Sequence, residues 1–101
     1  MMYRRIITIS AQAEILEIEQ WYNNCQPKLG DRFWEAATHL LDLLQERPLA
    51  YPVDSESDSP DIRKARMKRF PHFVLYRVKD DEVTILSVVH GHRQRGPRWR
   101  S

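Results

Sequence analysis

The side chains best suited to chemistry crowd into the C-terminal part of this sequence. Arg63, Lys64, Arg66, Lys68, Arg69, Arg77 and Arg93 supply cations, and His90 and His92 supply imidazoles that exchange protons near neutral pH. Such cations bind phosphate, and arginine does so with a planar two-pronged contact. Metal-free cleavage of RNA needs a base for the 2′-hydroxyl, an acid for the leaving 5′-oxygen and cations on the phosphorane. All of those residue types are present. Other chemistries are excluded by spacing. His90 and His92 flank Gly91, which argues against a continuing strand, and a third metal ligand is not evident. Asp54, Glu56 and Asp58 have the 1-3-5 spacing of a calcium loop, but Ser59 replaces the required glycine and Ala65 the closing glutamate. Cys25 has no base near it in sequence and reads as a bystander. Asp80-Asp81-Glu82 reads as a hairpin turn rather than a carboxylate dyad. His39 and His72 read as structural. No metal or other cofactor is implied.

Charge points the same way as the residue types. The chain has 101 residues and a formal net charge of +2. That small figure hides an asymmetry: residues 1–62 hold 5 basic and 11 acidic side chains, and residues 63–101 hold 11 and 3. Twelve of the cations are arginine and four lysine. A polarised surface of this kind suits nucleic acid or an acidic protein partner. Hydrophobic residues at 42% and charged residues at 30% are ordinary for a globular chain and exclude wholesale disorder. No apolar run reaches the roughly 18–20 residues of a membrane helix, so no membrane role is expected. The N-terminus lacks the long apolar core of a signal peptide. A lone cysteine fits a reducing, cytoplasmic compartment.

The elements that must position these groups follow from periodicity. Tyr3 to Ile9 is β-branched and apolar and predicts a first strand, with Ser10 as the cap of the helix that follows. Ala11, Ile15, Ile18 and Tyr22 fall at helical spacing, predicting about three turns ending near Asn23-Asn24. Pro27 opens a second helix, with Gly30 a weak point near its start. Phe33, Ala36, Ala37, Leu40, Leu41 and Leu44 keep one apolar face until Pro48 ends it. The short linker makes the two helices an antiparallel hairpin. Residues 47–61, with three prolines and four acids, form a loop. From Ile62 the period drops to two, with Ala65 and Met67 on one face and Lys64, Arg66 and Lys68 on the other. Phe70-Pro71-His72 is a turn, Phe73–Val78 a strand, and Val83–Val89 a strand. The expected fold is α+β, in the order β-α-α-β-β-β, with an antiparallel sheet on a helical hairpin. Residues 1–101 are expected to form one domain, with 93–101 a basic tail.

In that order the sequence resembles the RelE/ParE superfamily of type II toxin–antitoxin toxins, on the ParE side. The resemblance rests on Leu29-Gly30 with Arg32-Phe33, Pro48 with Tyr51-Pro52, Ile62-Arg63, Arg69-Phe70-Pro71, Val74-x-Tyr76-x-Val78, His90-x-x-Arg93 and Pro97-x-Trp99. It implies a bacterial growth inhibitor, such as those that stabilise plasmids, held inactive by a cognate antitoxin in a hetero-oligomer. In the ParE branch the implied target is DNA gyrase, met by Arg63, Arg66, Lys68, Arg69, Arg93, Arg95, Arg98 and Trp99. In the RelE branch it is messenger RNA on the ribosome, with Arg63, Lys68 and Arg93 on phosphate and His90 or His92 moving protons. That branch draws on a Tyr or His near the C-terminus, and a C-terminal tyrosine is missing here: Tyr76 lies within the third strand, and the chain ends Arg98-Trp99-Arg100-Ser101. A third reading keeps the fold as a non-toxic antitoxin-binding module. The antitoxin would lie along the helical hairpin, beside Trp21 and Trp34, or add a strand to a sheet edge. Trp99, flanked by two arginines, can stack on a base, anchor in a partner's groove or fold back on the sheet.

Overall fold

In the computed structural model, residues 3–91 are described. The chain runs β1 (Arg4–Ile7), α1 (Ile9–Cys25), α2 (Leu29–Glu46), a 3-10 turn at Pro48–Ala50, then β2 (Ile62–Arg66), β3 (His72–Lys79) and β4 (Glu82–His90). The strands form one sheet in the order β1-β4-β3-β2. The meander β2-β3-β4 is antiparallel, while β1 joins β4 in parallel. A parallel pair needs a long crossover, and the helical hairpin and the first two meander strands supply it.

Several boundaries differ from expectation for local reasons. β1 ends at Ile7, because the Thr8 side chain, not that of Ser10, accepts from the Ala11 amide and caps α1. α1 is 17 residues long and runs to Cys25. α2 begins at Leu29 rather than Pro27, after Lys28 turns the backbone into the left-handed region (φ 71°). His72 does not sit in the turn. It is the first residue of β3, buried, and opposite His90 in the register.

Gly30 is the largest departure. It is not a weak point but the contact that lets the two helices meet. A Cβ there would sit 2.2 Å from the Glu19 carbonyl oxygen on α1. The Gly30 amide donates to Asn23 Oδ1 at 2.8 Å, which satisfies one of the orphan donors at the start of α2.

The core lies between the hairpin and one face of the sheet. Ala11 and Ile15 from α1 and Phe33, Ala37, Leu40, Leu41 and Leu44 from α2 meet Ala65, Met67, Val74, Tyr76, Val83, Ile85 and Val88. Fully burying a side chain such as Phe33 or Leu44 contributes about 1.5–3 kcal/mol. On the reverse face Ile62, Phe73 and Leu75 form a second, smaller cluster. Tyr76 crosses the main core, and its hydroxyl donates to the Pro48 carbonyl at 2.6 Å, fixing the exit from α2 over the sheet. The loop after that exit runs beside β2. The Asp54 amide donates to the Ile62 carbonyl, the Lys64 amide donates to the Pro52 carbonyl, and Val53 bridges Arg63. The outer edge of β2 is therefore partly covered by its own upstream loop.

Candidate functional site

A groove opens where α1 crosses the ends of β3 and β4. Its volume is about 420 Å³, and Glu14, Glu17, Ile18, Trp21, Tyr22, His72, Val88 and His90 line it. The floor is aromatic. Tyr22 stacks on Phe33 with ring centroids 5.6 Å apart and meets Phe70 edge-on at 5.0 Å. Its hydroxyl lies 3.1 Å from His72 Nε2, and burial pushes the Tyr22 phenol above its ordinary range, with the nearby Cys25 adding to the effect. The rings of His72 and His90 meet edge-on, centroids 5.1 Å apart. On the groove wall the Glu14 carboxylate accepts from Ser87 Oγ and from the Val88 amide, both at 3.0 Å. A β-bulge breaks the pairing register here: Leu75 faces Ser87 and Tyr76 faces Ile85, leaving Leu86 unmatched. Glu14 thus pins α1 to the irregular point of the sheet.

Among the described residues, the expected functional cations lie at different parts of the sheet. Arg63 is half-buried, and its guanidinium donates to the Tyr51 carbonyl, holding the loop to β2. It is level with Tyr76 and Ile85 in the register, five positions along β4 from His90. At about 3.3 Å per residue that is roughly 16 Å. Arg66, Lys68 and Arg69 are exposed at the end of β2 and the turn that follows. Lys64 lies over the Phe73 ring on the reverse face, its ammonium 4.5 Å from the centroid. His90 reaches the groove. His92, Arg93, Arg95, Arg98 and Trp99 lie outside the described residues. On the hairpin, Trp21 is 61% exposed and Trp34 45% exposed, and Trp21 borders the groove. Among the described residues, no group of three or more His, Cys, Asp or Glu side chains is placed to hold a metal ion. No helix among them is long and apolar enough to cross a membrane.

Sequence reasoning passed over Glu14, Tyr22 and His72 as site residues. Glu14 had a readable signal: it falls on the stripe of Ala11, Ile15 and Ile18, where a carboxylate must find donors inside the fold. The pairing of Tyr22 with His72 spans fifty positions and had no local signal.

The fold is shared with solved structures. One neighbour is a chain of the chromosomal ParDE toxin–antitoxin system from P. aeruginosa, with a TM-score of 0.76 and 22% identity, covering 88% of this chain and 96% of that one. Another is a chain of the RelBE2 toxin–antitoxin complex from Mycobacterium tuberculosis, with a TM-score of 0.63 and 22% identity, covering 88% and 91%. No curated protein matches the chain by sequence. Residues 6–95 match the family model of the ParE toxin of type II toxin–antitoxin systems. The order of elements, the shared sheet-and-hairpin fold and a match over nearly the whole chain agree: this protein belongs to the ParE toxin family of type II toxin–antitoxin systems.

Proposed function

We propose that the protein inhibits bacterial growth by binding DNA gyrase in the cytoplasm, and that a cognate antitoxin neutralises it in a hetero-oligomeric complex. The observation that carries the non-catalytic reading is the separation, among the described residues, of Arg63 from His90. Arg63 is engaged with the Tyr51 carbonyl and lies roughly 16 Å along the sheet from His90. Arg66, Lys68 and Arg69 are instead each exposed within four positions of the chain, which suits docking on an acidic surface or on DNA held by a partner. Residues 1–101 act as one toxin unit, with Arg93, Arg95, Arg98 and Trp99 extending the contact face. Exposed Trp21 and Trp34 on the hairpin offer the antitoxin two aromatic anchors.

A ribosome-dependent RNase is the second reading, favoured by the His72–His90 pair at the groove. Induction of the chain alone separates the two. Gyrase poisoning gives the SOS response and filamentation with translation intact, and the purified chain then blocks supercoiling in vitro. An immediate stop in translation, with cuts inside codons that His90→Ala abolishes, would overturn the gyrase reading. Normal growth would leave the antitoxin-binding module. Joint replacement of Arg66, Lys68 and Arg69 by glutamate is expected to abolish growth inhibition while the circular dichroism spectrum stays that of the parent.

A further inference from the structure

The helical hairpin turns two different lanes to solvent. On α1, Ile9, Ala13, Leu16 and Gln20 follow one another at helical spacing, on the face opposite the buried Ala11 and Ile15. All four are exposed, Ile9 at 85% and Leu16 at 53%. On α2, Asp31, Glu35, Asp42 and Glu46 share the face opposite the buried Phe33, Leu40 and Leu44, and all four are exposed. Between the lanes stands an indole. Gly30 lies against Glu19 and Asn23 of α1, and at the other end of the hairpin Tyr3 bonds to Gln45, so the helices run antiparallel. Trp34, one turn on from Gly30, is therefore on the α1 side of α2, about level with Leu16. The outer surface of the hairpin is apolar along one helix and acidic along the other. Residues 9–46 hold seven acidic and two basic side chains, and α1 has no lysine or arginine. Asp42 is paired with Arg5, but among the described residues no ion pair engages Asp31, Glu35 or Glu46.

We propose that this surface seats one amphipathic helix of the antitoxin, with its apolar stripe on Ile9, Leu16 and Trp34 and a row of lysines or arginines along the flank that faces α2. This seat rests on the antitoxin reading above and adds the chemistry of the segment it takes. Length and charge select the occupant. The two helices are 17 and 18 residues long, roughly 26 Å, which is room for about four turns of a third helix lying alongside. A second copy of the chain would bring the same acidic lane against itself, and a nucleic acid would bring phosphates to it. Like charge opposes both. A basic flank instead meets Asp31, Glu35 and Glu46 with opposite charges at the repeat that one side of a helix offers, while its apolar stripe covers the exposed α1 lane.

The test titrates the purified cognate antitoxin into the full-length chain by calorimetry. Leu16→Glu should weaken binding about tenfold or more. Glu35→Lys with Glu46→Lys should weaken it several-fold and flatten its salt dependence between about 0.1 and 1 M. All three positions are exposed, so the far-ultraviolet spectrum and the urea midpoint should stay those of the parent. Leu49→Glu, at an apolar residue just as exposed but outside the hairpin, should bind as the parent does. Parent-like affinity in either hairpin variant would overturn the seat while the antitoxin reading stands. So would tighter binding by the lysine variant, which would mean an acidic flank. An antitoxin that does not bind the parent would overturn the antitoxin reading and the seat together. A parent that sediments as a dimer without antitoxin, and as a monomer with Leu16→Glu, would give the face to a second copy and equally overturn the proposal.

Discussion

Gly30 has no side chain, and the elbow of the hairpin depends on that. With the Glu19 carbonyl 2.2 Å from any added Cβ, Gly30→Ala must push the helices apart or unwind the first turn of α2. Overpacking of this kind costs about 1–3 kcal/mol, read as a lower urea midpoint at unchanged slope. Tyr76 is the opposite case, a large side chain fully buried for one hydrogen bond to the Pro48 carbonyl. Tyr76→Phe leaves that carbonyl unsatisfied and is expected to cost about 1–3 kcal/mol. The same residue sets an alkaline limit. Burial raises the Tyr76 phenol, the partial offset by Arg63 notwithstanding, and burial raises Tyr22 as well. A group whose folded pKa exceeds its unfolded value contributes fully below the unfolded value and loses that contribution as pH rises. Stability should therefore hold up to about pH 10, the ordinary tyrosine value, and fall above it. The fall should be shallower in Tyr76→Phe, as urea titrations from pH 8 to 11 would show.

Among the elements, the hairpin and meander were legible because their signals are local. Ala11, Ile15, Ile18 and Tyr22 repeat at helical spacing, and the alternation of Ala65 and Met67 with Lys64 and Arg66 marks a strand. What stayed hidden is what joins elements to one another. The role of Gly30 appears only once α1 lies against it, and the parallel docking of β1 on β4 follows from no short window of sequence. The candidate site was half legible. The sequence shows His90, which lines the groove, and Arg66, Lys68 and Arg69, which are exposed, whereas the hold of Arg63 on the Tyr51 carbonyl has no local signal. Two element-scale variants test these joints. Glu14→Ala leaves the Val88 amide and Ser87 hydroxyl without their carboxylate at the bulge. A loss of about 1–3 kcal/mol is expected, with faster amide exchange at Val88. Asp80 begins the two-residue β3–β4 turn at φ 56°, where glycine fits without strain. Asp80→Gly should raise stability by up to about 1 kcal/mol, measured from the urea midpoint.

Over the whole molecule, the charge asymmetry of the sequence becomes a layered surface with exchange between the layers. Arg4 pairs with Glu82 at 2.7 Å and Arg5 with Asp42 at 2.8 Å. These exposed pairs are worth little in stability. They do offset the charge of β1, so among the described residues the exposed cations Arg66, Lys68 and Arg69 stand out at the β2 end of the sheet. Binding there should weaken steeply as salt rises, since the Debye length falls from about 10 Å at 0.1 M to about 3 Å at 1 M. The parallel seat of β1 on β4 sets a clock. The first strand made must wait for the last one, because Arg4–Ile7 pairs with Glu82–Ile85. At about 5–20 residues per second, several seconds separate the synthesis of the two. The hairpin is complete in sequence long before the sheet can close, so the helices α1 and α2 are offered to a waiting partner before the finished basic face exists.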